Sequence, residues 1–216
     1  MRRGGRGLFV SVEGIDGSGK STQARLLAAR LKAEGELALL LRDPGSTELG
    51  EAVRTVLLAP GRAPAPDPLA EVALFLAARV QLLRQRIEPA LSQGHVVVCD
   101  RYLDSTLAYQ GFGRDLDQGR LLELHRLLGA ARRPDLTLLL DLAPAEARAR
   151  LRGSGPEDRM ELEPTAYHER VRQGYLALAG MSPERVVVLP GDRPKDDLAE
   201  SCWRLTLERL STRRAE

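Results

Sequence analysis

Five short apolar blocks stand out along the chain, Leu8 to Val12, Leu37 to Leu41, His95 to Cys99, Leu136 to Leu140 and Arg185 to Leu189, and none alternates cleanly between apolar and polar positions. That pattern predicts strands buried on both faces. Between the blocks lie longer segments with apolar residues at helical spacing: Lys20 to Glu34, Leu69 to Ser92, Asp117 to Ala130, Pro144 to Arg152, Pro164 to Ala179 and Lys195 to Leu210. Strand and helix in alternation predict an α/β fold, a parallel five-stranded sheet flanked by helices on both sides. Gly35, Gly94, Pro134 and Pro183 mark joints where a helix must stop before a strand begins. The four prolines between Ala59 and Pro68 predict a stiff surface loop, and Gly153 to Pro156 predicts a flexible one. No repeat and no boundary to a second domain interrupts the pattern, so residues 1–216 are expected to form one domain.

At 43% hydrophobic content, 216 residues can bury one sizeable core. Basic and acidic residues number 32 and 30 and are interspersed, which leaves a net charge of +2 and no charged tail. Binding of nucleic acid by bulk charge is therefore not expected, although a local anion site is compatible with that balance. Only Lys20, Lys32 and Lys195 among the basic residues are lysines. The two cysteines, Cys99 in an apolar run and Cys202 in a helical segment, are too few for a disulfide framework and point to a reducing cytoplasm. The apolar stretch behind the basic Met1 to Arg6 is cut by Glu13, and no run approaches the length of a membrane span. Neither a leader nor a membrane partner is expected.

In open parallel sheets, ligands gather beyond the carboxyl ends of the strands. Here those ends carry Gly14-Ile15-Asp16-Gly17-Ser18-Gly19-Lys20-Ser21, Arg42-Asp43-Pro44-Gly45, Asp100-Arg101 and Asp141. The first is a phosphate-loop pattern: two glycines separated by four residues, then lysine and serine, with a strand before and a helix after. Glycines let the chain fold tightly enough to aim backbone N–H groups at phosphates, and the helix adds its positive end. Lys20 then neutralises the β and γ phosphates, and the Ser21 hydroxyl can ligate Mg²⁺. A GTPase would need an Asn-Lys-x-Asp segment after a later strand, and the chain has none.

Asp100-Arg101 would place a carboxylate beside the magnesium and a guanidinium toward a second anion, with a strand-end ion pair as the alternative when the two are taken alone. Phe75 and Arg79 share one face of a helix, where a ring can stack a base and a guanidinium can bond a carbonyl on its edge. Core packing of Phe75 beneath a surface Arg79 is the alternative. Aromatic residues make up only 4% of the chain, yet Phe75, Tyr102, Tyr109 and Phe112 fall near these positions, which favours the site. His95, His125 and His168 lack metal-ligand spacing and read as structural, and Cys99 reads as core packing.

Together these segments resemble the thymidylate kinase family. The matching stretches are Glu13 to Thr22, Arg42 to Thr47, Phe75 to Arg79, Asp100 to Gly111, Pro134 to Asp141 and Asp158 to Glu161, in the family's order and across nearly the whole chain. The resemblance implies a P-loop NTPase-type fold with a short lid at about 148–161, transfer of the ATP γ-phosphoryl group to dTMP in dTTP synthesis, and a homodimer. ATP contacts are implied for Gly14, Ile15, Asp16, Gly17, Ser18, Gly19, Lys20, Ser21 and Thr22, with Arg148 and Arg152 from the lid. On the dTMP side, Phe75 resembles the thymine stacker, Arg79 the ligand of a thymine carbonyl, and Gln110 the residue at the base edge, with Ser105 or Thr106 beside it. Tyr109 would lie under the sugar, Asp16 would meet its 3′-hydroxyl, and Arg42 and Arg101 would clamp the 5′-phosphate. Ser21, Asp43 and Asp100 resemble the groups that organise magnesium.

Two departures from the family pattern carry expectations of their own. The second motif more often reads Arg-Glu-Pro-Gly-Gly-Thr, so Asp43 is shorter by a methylene and Ser46 adds a side chain, which puts the magnesium geometry there in question. Some members carry an arginine inside the phosphate loop, where this chain has Gly17. The missing cation is expected from Arg148, Arg150, Arg152 and Arg159 in the lid, with Arg152 the first choice for catalysis and Arg159 the second, and with Gly153 and Gly155 as hinges. A deoxynucleoside kinase is the enzymatic alternative, with less need of Arg42 and the Pro-Gly-Ser-Thr turn. A regulatory module that holds ATP without turnover would not require Lys20, Ser21, Asp100 and the lid arginines together.

Overall fold

The computed structural model describes residues 7–60, 66–152 and 155–215. The basic Met1 to Arg6, the middle of the proline-rich loop and the expected hinge Gly153 lie outside the described residues. Strands β1 (Leu8–Glu13), β2 (Ala38–Arg42), β3 (Val96–Asp100), β4 (Leu136–Asp141) and β5 (Val186–Pro190) run parallel in the order β2-β3-β1-β4-β5. Each begins and ends within one residue of its predicted block.

Alternate residues of β1 feed two apolar layers, which is why no alternation with polar residues was visible. Leu8, Val10 and Val12 pack against Ala24, Leu27 and Leu31 of α1 (Lys20–Ala33) and Leu198 and Cys202 of α9 (Lys195–Ala215). On the other face, Phe9 joins Leu82 of α3 (Pro68–Leu82), Val171 and Tyr175 of α8 (Thr165–Met181), and Tyr102. Asp67 caps α3 by accepting from the Leu69 and Ala70 N–H groups, with Pro68 in the first turn where its missing N–H costs nothing. Past Leu82 the chain continues through a π-helical turn, Leu83–Ile87, into α4 (Glu88–Ser92). Pro89 accounts for the widened turn, because its ring would clash with the carbonyl four residues back in a regular helix.

Two helical segments were not anticipated. α2 (Glu48–Leu58) starts at Thr47, whose Oγ1 accepts from the Gly50 N–H at 3.0 Å. α5 (Leu103–Thr106) runs on as a π-helical stretch, Leu107–Gly113. Nearly every residue of that stretch is buried, so no polar face marks a helical period there. α6 (Gln118–Leu127) and α7 (Pro144–Leu151) complete the described helices. None of the described helices is long and apolar enough to cross a membrane.

Register places the chemistry. Arg42 and Val12 both lie level with Asp100, so the loops leaving β1, β2 and β3 open at one edge of the sheet.

Candidate active site

The loop after β1 turns through three glycines in the left-handed region, Gly14, Gly17 and Gly19, and delivers the chain into α1. No side chain caps α1, which leaves its first-turn N–H groups for an anion. Ile15 packs in the core, and Ser18, unlike Asp43 and Asp100, lines neither cavity at this edge, so these two can serve a phosphate only through their backbone. A Cβ on Gly17 would meet the Ala147 carbonyl of α7 at 2.3 Å. Helix α7 thus occupies the space that a loop side chain would need.

Asp16 is the hub of the site. Its Oδ1 accepts from Lys20 Nζ at 3.0 Å and from Arg101 Nη2, and its Oδ2 accepts from the Tyr109 hydroxyl at 2.8 Å. Burial opposes the charge, but the Arg101 and Lys20 cations outweigh it and hold the carboxyl well below the usual carboxylate range. Arg101 also donates to Gly14 O at 3.0 Å and stacks over the Tyr109 ring at 4.8 Å. Its backbone sits at φ 68°, a conformation costing roughly 1 to 3 kcal/mol for a side-chain-bearing residue, which these contacts maintain.

Behind Arg101 lies Glu13, a residue given no role from the sequence. Glu13 accepts from Tyr102 N–H at 2.7 Å, Ser105 Oγ at 2.6 Å and Tyr175 OH at 3.0 Å, and both hydroxyls also receive Arg101 Nη1. Burial and the nearby Asp104 charge push its carboxyl up to about 7 from the ordinary 4.5. Between those values the folded chain keeps a proton that the unfolded chain has lost, so the contribution of Glu13 to stability falls as pH rises. Glu13→Gln is expected to flatten that part of the stability profile. Denaturant midpoints measured across the interval for both proteins check it, and parallel profiles would refute it.

Arg79 lines the cavity beside Phe75 and is only 1% exposed, unlike the surface position of the alternative reading. Nε donates to Asp43 Oδ2 at 2.5 Å, Nη1 to Thr106 Oγ1 at 2.8 Å and His125 Nε2 at 2.7 Å, and Nη2 to Tyr102 O at 3.2 Å. One Nη2 hydrogen remains for a ligand. His125 is structural in a specific way: its Nδ1 faces Leu121 O at 2.6 Å, which can only accept, so Nε2 is the lone pair that receives Arg79. Burial and the Arg79 charge lower its pKa to about 4, which keeps it neutral. Asp43, expected at the metal, spends one oxygen on Arg79 and keeps a buried Oδ1 without a partner. Burial pushes its carboxyl up, and Arg79 pulls it back only in part.

Ser105, Thr106 and Arg42 line the site, Arg159 is held elsewhere, and each has partners of its own. Arg42 is exposed and paired with Glu51 at 2.6 Å. Ser46 stands at φ 62°, where glycine is favoured, and its Oγ accepts from the Arg42 N–H at 2.8 Å, closing β2. Ser105 faces Glu13 and Arg101, and Thr106 faces Arg79. Arg148 and Arg152 are exposed, at the end of α7 and just beyond it. Thr22 lies in the first turn of α1, half buried. Arg159 does not line the phosphate cavity: Nε donates to Leu57 O at 2.8 Å and Nη2 to the buried Glu71 at 2.5 Å. That placement holds Arg159 outside the phosphate cavity in the ligand-free chain.

Two adjoining cavities result. One is lined by Phe75, Arg79, Thr106, Tyr109 and Gln110, the other by Gly17, Lys20, Ser21, Asp100 and Glu161. Asp16, Asp43, Arg54, Arg101 and Asp158 form walls of both. Arg54 was missed from the sequence. Its signal was the Thr47 cap with Glu48 and Glu51 behind it, which marks the start of the helix that carries Arg54.

Comparison with known proteins follows the same lines. The family model described as thymidylate kinase matches residues 12–202. The chain belongs to the thymidylate kinase family. It is 45% identical to thymidylate kinase of Deinococcus radiodurans over 204 residues, covering 94% of this chain and 98% of that protein. With thymidylate kinase of Syntrophotalea carbinolica it shares 44% over 209 residues, 94% and 96% of the two chains. The crystal structure of thymidylate kinase from Ehrlichia chaffeensis matches with a TM-score of 0.75 at 32% identity, covering 93% of this chain and 98% of that one. The family's P-loop fold and the parallel sheet observed here are the same architecture.

Proposed function

We propose that the protein transfers the γ-phosphoryl group of ATP to dTMP, giving dTDP. The shared wall of the two cavities carries this reading, because it brings a nucleoside pocket and a phosphate cradle together at Asp16, Arg54 and Arg101. In the nucleoside pocket the half-buried Phe75 offers a ring face, and Arg79 and Gln110 meet the base edge. Tyr109 and Asp16 border the sugar. Arg101 and Arg54, with Arg42 near the rim, suit the acceptor phosphate, and Lys20 suits the donor phosphates. Without ligand, Asp16 holds Lys20 and Arg101 in place, so incoming phosphates find their cations already oriented.

Ser21, Asp100 and Asp43 fit a magnesium ion, since Asp43 Oδ1 and Asp100 Oδ1 are buried oxygens without partners beside the phosphate cradle. The ion would neutralise donor phosphate charge. We infer one nucleoside-monophosphate-kinase-like domain, with residues 148–161 as a lid that brings Arg148 and Arg152 to the ATP. A homodimer belongs to the same reading, supported by Leu124 and Leu127, exposed one turn apart on α6. A cytoplasmic location suits the two free, buried cysteines.

The test is incubation with Mg-ATP and a panel of nucleosides and monophosphates, followed by chromatography. Formation of dTDP is expected; product from thymidine but not from dTMP would favour the deoxynucleoside kinase, and no product would favour a binding module. Phe75→Ala is expected to weaken dTMP binding by about 1 to 3 kcal/mol with ATP binding unchanged, because only stacking is lost. Titration of each ligand checks this, and equal weakening of both would indicate a packing defect. Arg79→Ala should also lose stability, since it strands the buried Asp43.

A further inference from the structure

Glu71 stands on α3 one turn before Phe75, is 1% exposed, and takes no part in the reaction as described above. Its Oε1 accepts from Gln110 Nε2 at 2.8 Å, and its Oε2 accepts from Arg159 Nη2 at 2.5 Å. Arg114 approaches the same oxygen at 3.5 Å while held by Glu163 at 2.5 Å. Arg159 is itself anchored, by its backbone N–H to Leu58 O at 3.2 Å and by Nε to Leu57 O at 2.8 Å.

A carboxylate paired with guanidinium groups offers acceptors only. Gln110 can therefore bond to Glu71 only through its amide nitrogen, and the amide oxygen is the end left over. That oxygen has no partner among the described residues, and Gln110 lines the nucleoside cavity. We propose that Glu71 is a positioning residue that sets the hydrogen-bonding polarity of the base pocket: it locks Gln110 with the carbonyl oxygen toward the base, so that the pocket accepts a ring N–H. The inference rests on the cavity being the dTMP site. Thymine and uracil present an N–H at ring position 3, whereas cytosine presents a bare acceptor nitrogen. A flipped Gln110 would confront the thymine N–H donor to donor and would suit cytosine instead. The Arg159 link makes segment 158–161 part of the lock, since losing either partner leaves Glu71 free to turn.

Steady-state kinetics with ATP and dTMP, dUMP or dCMP test it in the parent, Glu71→Gln, Gln110→Ala and the double variant. Glu71→Gln keeps the shape but lets either amide flip. Its dTMP KM is expected to rise about tenfold, the scale of one lost hydrogen bond, with kcat within a few-fold, the ATP KM unchanged and the preference for dTMP over dCMP narrowed. Added to Gln110→Ala, it should raise the dTMP KM little further, because Glu71 acts through Gln110. Additive increases in the two backgrounds, or an unchanged KM and dTMP-to-dCMP ratio, would overturn the proposal. Should Glu71→Gln fail to fold, Glu71→Asp keeps the charge for Arg159 and withdraws the acceptor by one methylene, and the same non-additivity decides. A parent enzyme inactive on dTMP would overturn the assignment of the cavity and the proposal with it.

Discussion

Lys20→Ala is expected to lower kcat by on the order of 10² or more while leaving the fold intact. The chemical reason is that charge moves onto the β–γ bridge oxygen as the phosphoryl group departs, and Lys20 is the only cationic side chain within the phosphate loop itself. The fold should survive because Asp16 keeps Arg101 and the Tyr109 hydroxyl, so truncating Lys20 does not leave a buried carboxylate without a cation. Single-turnover rates and a thermal melt of the same preparation separate the two effects. A folded Lys20→Ala protein with normal turnover would remove the phosphate loop from the mechanism.

Arg152→Ala and Arg159→Ala are expected to fail in different ways. Arg152 is exposed just past α7, with no fixed role in the core, so its loss should lower kcat by about 10³ with nucleotide dissociation constants and melting temperature nearly unchanged. That is the behaviour of a cation engaged in the transition state more than in the ground state. Arg159 is buried against Glu71, and removing it leaves that carboxylate with the Gln110 amide and only the longer contact to Arg114 at 3.5 Å. A loss of about 1.5 to 3 kcal/mol of stability is expected, the scale of one buried hydrogen bond to a charged group. Measuring kcat, nucleotide Kd and denaturant midpoint for each variant gives the answer. If Arg152→Ala keeps kcat within a few-fold of the parent, the cation absent at Gly17 is not supplied by this residue.

Much of the fold was legible because its signals are local. Runs such as Val96 to Val98 and Leu138 to Leu140 declare strands covered on both faces, and the Gly14 to Ser21 spacing declares a phosphate loop whatever surrounds it. α2 and the stretch from Leu103 to Gly113 escaped, the second because a segment buried nearly all round leaves no polar stripe to count.

The sequence alone determined which chemical groups are available: a loop that cradles phosphate, one lysine within it, an aromatic and an arginine on one helical face, and carboxylates at strand ends. Which group pairs with which was decided only in three dimensions. Asp16 gathers Lys20, Arg101 and Tyr109; Arg79 turns inward to Asp43 and His125; Glu71 takes Arg159 from the segment between α7 and α8. The partners are far apart in the chain, 36 residues for Arg79 and Asp43 and 88 for Arg159 and Glu71, so no periodicity links them. A buried charge needs an opposite charge or a hydrogen bond within contact distance, and packing of the sheet against its helices settles which candidate is near enough to supply it.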